Sequence, residues 1–177
     1  VAPANAGLAV VGADVWLGGR GGAARVGLAD GARTDDRIDA DLEAMAAGHG
    51  ALWTIRYDPW QQTRTVDKRN PATGAVYGAL PVGAGPLVVD AGGGWCAYAT
   101  LEGQVLDRIE PGAVIVGDHY VLDADETPAD LATTTSRVWL RYDGSEHGLV
   151  VLDPAGGGTT PVDLPTAPAA MTPAADA

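Results

Sequence analysis

The sequence predicts an all-β protein, a β-propeller-like array of about four blades, and three observations carry that prediction. The first is a recurring tryptophan. Trp16, Trp53, Trp95 and Trp139, each preceded by Val, Leu or Gly, are separated by 37, 42 and 44 residues, a period of the blade type. The second is a large apolar residue eight positions before each of them, namely Leu8, Met45, Leu87 and Leu131. The third is a turn phrase 12 to 18 residues after each: LADGA near Asp30, RNPATG at Asn70, IEPG at Glu110 and LDPAGGG at Asp153. Asp/Asn-Pro and Gly make turns because Pro presets φ and Gly supplies φ > 0. Repeats of about 40 residues with several short strands are blades. One blade cannot bury both of its faces, so the aligned indoles are expected to pack between blades.

In chain order, residues 1–7 read as part of a strand. The repeat alignment sets Val1 on Leu80, so the chain is expected to begin partway through a unit. Either its opening residues complete the last blade or the sequence is a piece of something longer. Leu8 to Val11 and Val15 to Leu17 read as one inner strand and its continuation. GGRGGAAR at Gly18 to Arg25 reads as a Gly-rich hairpin loop; it lacks the Lys-Ser/Thr and the helix that a phosphate-binding loop needs.

TDDRIDADLEAMAAG, Thr34 to Gly48, carries two periodicities. Ile38, Leu42 and Met45 fit a helix capped by Thr34, with Asp35 and Asp36 in its first turn. Ile38, Ala40, Leu42 and Ala44 alternate with Asp39, Asp41 and Glu43 as in a strand. A gapless overlay of Arg33–Trp53 on Ala75–Trp95, with Ile38 on Leu80, decides for the strand. Its acidic residues are expected on a solvated edge, where charge discourages strand addition. They match no calcium loop.

Unit two contains WTIRYDPWQQTRTV. Asp58-Pro59 marks a turn, and Trp60 stands in it, outside the tryptophan column. Loops on a rigid scaffold are where recognition aromatics sit, so Trp60, with Arg56 and Tyr57 beside it, forms the candidate binding site; as a purely structural feature Trp60 would be a lid on the neighbouring blade. In unit three Val114–Val116 and Tyr120–Leu122 read as an extra hairpin about Gly117-Asp118, followed by the acidic Asp123, Asp125 and Glu126. Unit four has a hairpin turn at Asp143-Gly144. The repeat domain therefore covers 1–165. Residues 166–177, rich in Pro and Ala, read as a flexible tail.

VDKRNPATGAVYGALPVGAGPLVVDAGGGWCAYA and VVLDPAGGGTTPVDLP resemble the YVTN/NHL-type propeller repeats of bacteria, including those related to streptogramin lyases, whose wording is close to V-x-R-I-D-P-A-T-G-x-V-x-x-x-I-P-V-G-x-G-P. The resemblance is closest over Val66 to Trp95. It implies a propeller, commonly a binding scaffold, placed outside the cytoplasm or at the cell surface. That family more often has six to eight blades, so further blades or a protein partner are expected over the open sheet edges.

The chain has 177 residues, 46% of them hydrophobic and 19% charged, with 25 glycines and 12 prolines, which fits a globular fold with many tight turns. Its net charge of −12, with Lys68 the one lysine, provides no basic face for nucleic acid or an anionic membrane. No apolar run is long enough for a membrane-spanning helix. Cys96 is alone and reads as a small buried residue. His49, His119 and His147 all lie at turns, and no metal set, cofactor or catalytic group can be assigned from their spacing. Ser136 and Ser145 lack a nucleophile-elbow context. The expected function is a non-catalytic propeller binding or interaction module. The alternative is a metal-assisted lyase or hydrolase of the same fold, which would need a histidine close to two carboxylates.

Overall fold

The computed structural model describes residues 7–19, 21–122, 127–134, 136–143 and 148–162. They form sixteen strands in four antiparallel four-stranded sheets, and no helix is found among them. Blade 1 comprises β1 (Gly7–Val11), β2 (Asp14–Gly19), β3 (Gly22–Gly27) and β4 (Arg33–Ile38). Blade 2 comprises β5 (Asp41–Gly48), β6 (Ala51–Asp58), β7 (Thr63–Arg69) and β8 (Val76–Val82). Blade 3 comprises β9 (Leu87–Asp90), β10 (Gly93–Thr100), β11 (Gly103–Glu110) and β12 (Ile115–Leu122). Blade 4 comprises β13 (Asp130–Thr133), β14 (Val138–Arg141), β15 (Leu149–Asp153) and β16 (Gly158–Pro161). Within each sheet the strands pair in sequence order, and the first strands pack on one another from β1 to β5 to β9 to β13. This is the blade arrangement of a β-propeller.

The four tryptophans hold the same place in all four sheets. Each stands on the second strand opposite a small or β-branched residue of the first: Trp16 faces Ala9, Trp53 faces Ala46, Trp95 faces Val88 and Trp139 faces Ala132. The short partner leaves room for the indole, and in blades 1 to 3 the ring then reaches the next blade. A Cβ on Gly74 would stand 3.3 Å from the Trp16 ring, and one on Gly94 3.5 Å from the Trp53 ring. Burial follows this plan. The core falls into three clusters, one per junction: Trp16 with Leu42, Met45 and Leu52; Trp53 with Cys96, Ile109 and Val114; Trp95 with Leu131, Val138 and Leu140.

The turn phrases also coincide in structure. Each joins the third strand to the fourth by a backbone bond from residue i+4 back to residue i: Gly31 to Gly27 (3.0 Å), Gly74 to Asn70 (2.8 Å), Val114 to Glu110 (3.0 Å) and Gly157 to Asp153 (2.8 Å). The closing residue is left-handed in every blade, with φ of 67°, 74°, 53° and 67°. Glycine suits that conformation and valine does not. Val114 is held there by its burial in the junction cluster, where its side chain occupies the space left by Gly78 of blade 2.

Thr34 to Gly48 is extended, as β4, a short break and β5, so pairing with neighbouring strands overrides the local helical pattern. Three sequence expectations are corrected. Leu8–Val11 and Val15–Leu17 are not one strand continued; they are antiparallel partners about a turn at Gly12, whose φ is 63°. The extra hairpin of blade 3 is the single strand β12. Gly117 is the additional residue where the register shifts opposite Arg108 and Ile109, and the Glu110 side chain occupies the space where its Cβ would stand. A glycine bulge thus resembles a turn in sequence. The acidic residues of 34–48 are not simply solvated. Asp36 pairs with Arg25, Glu43 takes Arg64 at 2.6 and 3.0 Å, and Asp41 accepts the Gly21 amide at 2.7 Å. Residues 1–6, the cluster at 123–126, the turn at 144–147 with Ser145 and His147, and the tail at 166–177 lie outside the described residues.

Gly74 and Gly31 occupy equivalent left-handed positions, but a Cβ on Gly74 would meet Ile38 at 2.9 Å, whereas one on Gly31 would meet nothing within 4 Å. Gly31→Ala is therefore expected to carry only the backbone cost of about 1 kcal/mol, and Gly74→Ala roughly 1–3 kcal/mol more from overpacking. Urea denaturation of the two variants checks this, and equal losses would show that the junction does not pack as described.

Candidate functional site

The junctions define how much surface is free for function. Each is closed by a donor of one blade reaching the prolyl carbonyl in the third-to-fourth turn of the next. Trp16 Nε1 donates to Pro71 O (2.9 Å), Lys68 Nζ to Pro111 O (2.5 Å) and Tyr120 Oη to Pro154 O (3.1 Å). The donors differ in chemistry and the acceptor does not. The repeated Asn-Pro, Glu-Pro and Asp-Pro phrases thus present a carbonyl that, in proline, is the residue's only backbone polar group. Cations also cover two of the indoles, with Lys68 5.8 Å from the Trp53 ring and Arg108 6.0 Å from the Trp95 ring.

Two junctions contain a buried carboxylate at equivalent places on the third strand. Asp67 is fully buried and takes Arg56 Nε (3.0 Å) and the Arg69 guanidinium. Burial holds the Arg69 pKa below its ordinary value, against the raising effect of Asp67. Asp107 takes the Tyr98 hydroxyl and His119 Nδ1 (2.6 Å). Burial, reinforced by Asp107, raises the Tyr98 pKa, and burial likewise raises that of the Cys96 thiol. A buried thiol of that kind is an inert packing group.

The three sequence-predicted binding residues are not brought together. Arg56 is committed to Asp67 on the side of blade 1. Tyr57 points to the other side of the strand and stacks under Arg64, 4.6 Å from ring centroid to guanidinium carbon, while Glu43 binds the same Arg64. Trp60 alone projects into solvent, at 94% exposure, on the turn between β6 and β7. That turn is fixed by Asp58 Oδ1, which accepts the amides of Trp60 (2.9 Å) and Gln61 (3.1 Å). It is not a lid on a neighbouring blade. On the same end of blade 3, in the turn between β10 and β11, Leu101 is likewise fully exposed.

Sequence reasoning missed a second feature, a cleft of about 660 Å³ between blades 3 and 4. Asp90, Trp95 and Arg108 form one wall, and Thr133, Arg137 and Asp153 the other. Its guanidiniums are paired, Arg108 with Asp118 (2.9 Å) and Arg137 with Asp153 (3.0 Å). The legible signal was the stretch between β13 and β14, which is longer than the two-residue turn of the other blades. Among the described residues no three His, Cys, Asp or Glu side chains converge as a metal set. His119 meets one carboxylate, and His49 donates to the Asp90 carbonyl at 2.7 Å. No helix among them is long and apolar enough to cross a membrane.

The fold is shared with solved structures. Hydrazine synthase of Kuenenia stuttgartiensis matches 90% of this chain and 49% of its own (TM-score 0.69, 13% identity). BamB of Moraxella catarrhalis matches 88% and 48% (TM-score 0.67, 12% identity). Glutaminyl cyclase of Myxococcus xanthus matches 87% and 68% (TM-score 0.53, 14% identity). These likenesses establish a propeller-type fold, and the chain spans about half the length of the first two. No protein-family model matches the sequence, nor does any curated protein.

Trp60→Ala is expected to leave the unfolding free energy within about 0.5 kcal/mol of the parent, since the ring touches little. It should also remove most of the red-shifted, iodide-quenchable part of the tryptophan emission, because Trp16, Trp53 and Trp95 are buried and Trp139 is partly buried. A large stability loss would return Trp60 to a packing role.

Proposed function

We propose that this chain is a non-catalytic propeller module that binds a protein partner through the end of the blades carrying Trp60. The exposure of Trp60 on a turn fixed by its own Asp58 carries the reading. Tryptophan presents a large area at low entropic cost and is enriched at interface hot spots. Leu101 extends an apolar element onto the next blade at the same end. Arg56 and Tyr57 serve by holding the two faces of β6, so they set the position of the turn without touching the partner. The acidic charge fits a partner with a basic surface, which would gain in association rate. The resemblance of Val66–Trp95 to YVTN/NHL-type repeats supports a bacterial, extracytoplasmic or surface setting. Fold likeness adds nothing on reaction, since one propeller frame serves proteins as different as a hydrazine synthase and a cyclase.

Site-specific photo-crosslinking in the cells that make the protein tests the reading. A benzoylphenylalanine at position 60 should yield a discrete protein adduct, and one at Tyr77 on the outer strand β8 should not. Adducts of equal yield at both positions, or none at 60, would contradict it.

A further inference from the structure

The cleft between blades 3 and 4 exists because two bridges of the preceding junction have no counterpart there. Between blades 2 and 3, His49, four residues before Trp53, crosses to the Asp90 carbonyl at 2.7 Å. Lys68, paired opposite Trp53, crosses to the Pro111 carbonyl at 2.5 Å. Four residues before Trp95 stands Ala91, whose methyl group cannot bridge to a neighbour. Paired opposite Trp95 stands Arg108, which turns back to its own blade, donating from Nη2 to Gly92 O and from Nη1 to Asp118, both at 2.9 Å. The clasp on Pro154 falls to Tyr120 of the outer strand, and about 660 Å³ between the two blades stays open.

Donors and acceptors on the cleft walls are not in balance. The acceptors are saturated. Asp90 Oδ1 accepts the amides of Gly92 (2.6 Å) and Gly93 (3.1 Å), and its Oδ2 accepts the Trp95 indole N–H (2.9 Å). Asp153 takes the Ala155 amide (3.1 Å) and Arg137 (3.0 Å). The donors are in surplus. A guanidinium carries five N–H groups; Arg108 commits only its Nη groups, and Arg137 only Nη1, to Ser136 O and Asp153. Thr133, 6% exposed, lines the cleft with a hydroxyl that bonds to no described residue. Such a buried hydroxyl is costly until something accepts from it. Val89 and Ala91 on one wall, with Pro154 and Ala155 on the other, add apolar surface.

We propose that this cleft binds a small organic carboxylate, its charged end taken by Arg108, Arg137 and the Thr133 hydroxyl and its apolar body lying on the walls. A carboxylate is acceptor-only, so it complements a site with spare donors, and guanidinium is its strongest neutral-pH partner. A cleft of several hundred Å³ is of ligand size. Arg108 is the fixed member, held by Gly92 and Asp118. Arg137 is the adjustable one: its pair with Asp153 is exposed on both sides, at 43% and 41%, and an exposed pair of that kind is worth little. Arg137 can therefore turn to the ligand while Asp153 keeps the Ala155 amide. The site lies at the first-to-second strand turns, the opposite end of the blades from Trp60, and is independent of the partner proposed there.

Benzoate titrated into the isotope-labelled chain, followed by amide chemical shifts, tests the proposal. The expected result is a saturable shift of Ala91, Gly92, Thr133 and Thr134. Benzamide, of the same shape without the charge, should bind at least about tenfold more weakly, and Arg137→Gln should weaken benzoate by about the same factor without changing thermal unfolding. Ala91→His, which copies His49, should bridge the cleft and abolish the shifts while the circular dichroism is kept. No saturable shift with benzoate, equal affinity for benzamide, or binding that survives both substitutions would overturn it. Trp60→Ala should leave benzoate affinity unchanged, so failure of this site and failure of the Trp60 partner are separate outcomes.

Discussion

A four-stranded sheet with apolar residues on both faces has no stable surface of its own, and this constraint shapes every other feature of the chain. The solution here is repetition. The second strand of each blade offers an indole, the first strand gives way beneath it with Ala9, Ala46, Val88 or Ala132, and at the three junctions the next blade meets the ring. Burying an aromatic side chain of this size is among the largest single contributions in a core. The core is accordingly divided into three clusters, each shared by two blades. Such a molecule derives its stability from junctions between neighbours, as repeat proteins do.

The polar parts of the junctions follow the same logic. Blades must stack at a fixed offset, and apolar faces alone are not directional. The prolyl carbonyls of Pro71, Pro111 and Pro154 supply direction, each accepting one bond from the blade before. Asp67 and Asp107 are buried at matching places and each gathers two donors. A buried carboxylate of this kind is costly to leave unpaired and is better understood as fixing a unique arrangement than as adding stability.

The tryptophan column and the turn phrases were legible in sequence because they recur at a fixed interval, and recurrence outweighs local propensity. This is why Thr34–Gly48, helical by spacing, is correctly read as extended. Features that depend on a single blade were less legible. The Gly117 bulge looks like a turn, and the break at Gly12 looks like a passing irregularity in one strand. Arg56 looked free because its partner Asp67 is on the next strand, eleven residues away. The carbonyl clasps join residues 34 to 55 positions apart with three different donors, so no sequence pattern reports them. Trp60 stood out because it breaks the column, and a large apolar residue outside the repeat has no packing reason to be there.

The junctions leave over the loop end, the cleft of blades 3 and 4, and the open face of blade 1. All three depend on the indoles reaching forward into the following blade. The most direct measurement is a nuclear Overhauser experiment on the labelled chain. The account predicts cross-peaks from the Trp16 ring to Gly74 and from the Trp53 ring to Gly94, residues of the next blade in each case. Indole contacts confined to each tryptophan's own sheet would contradict it.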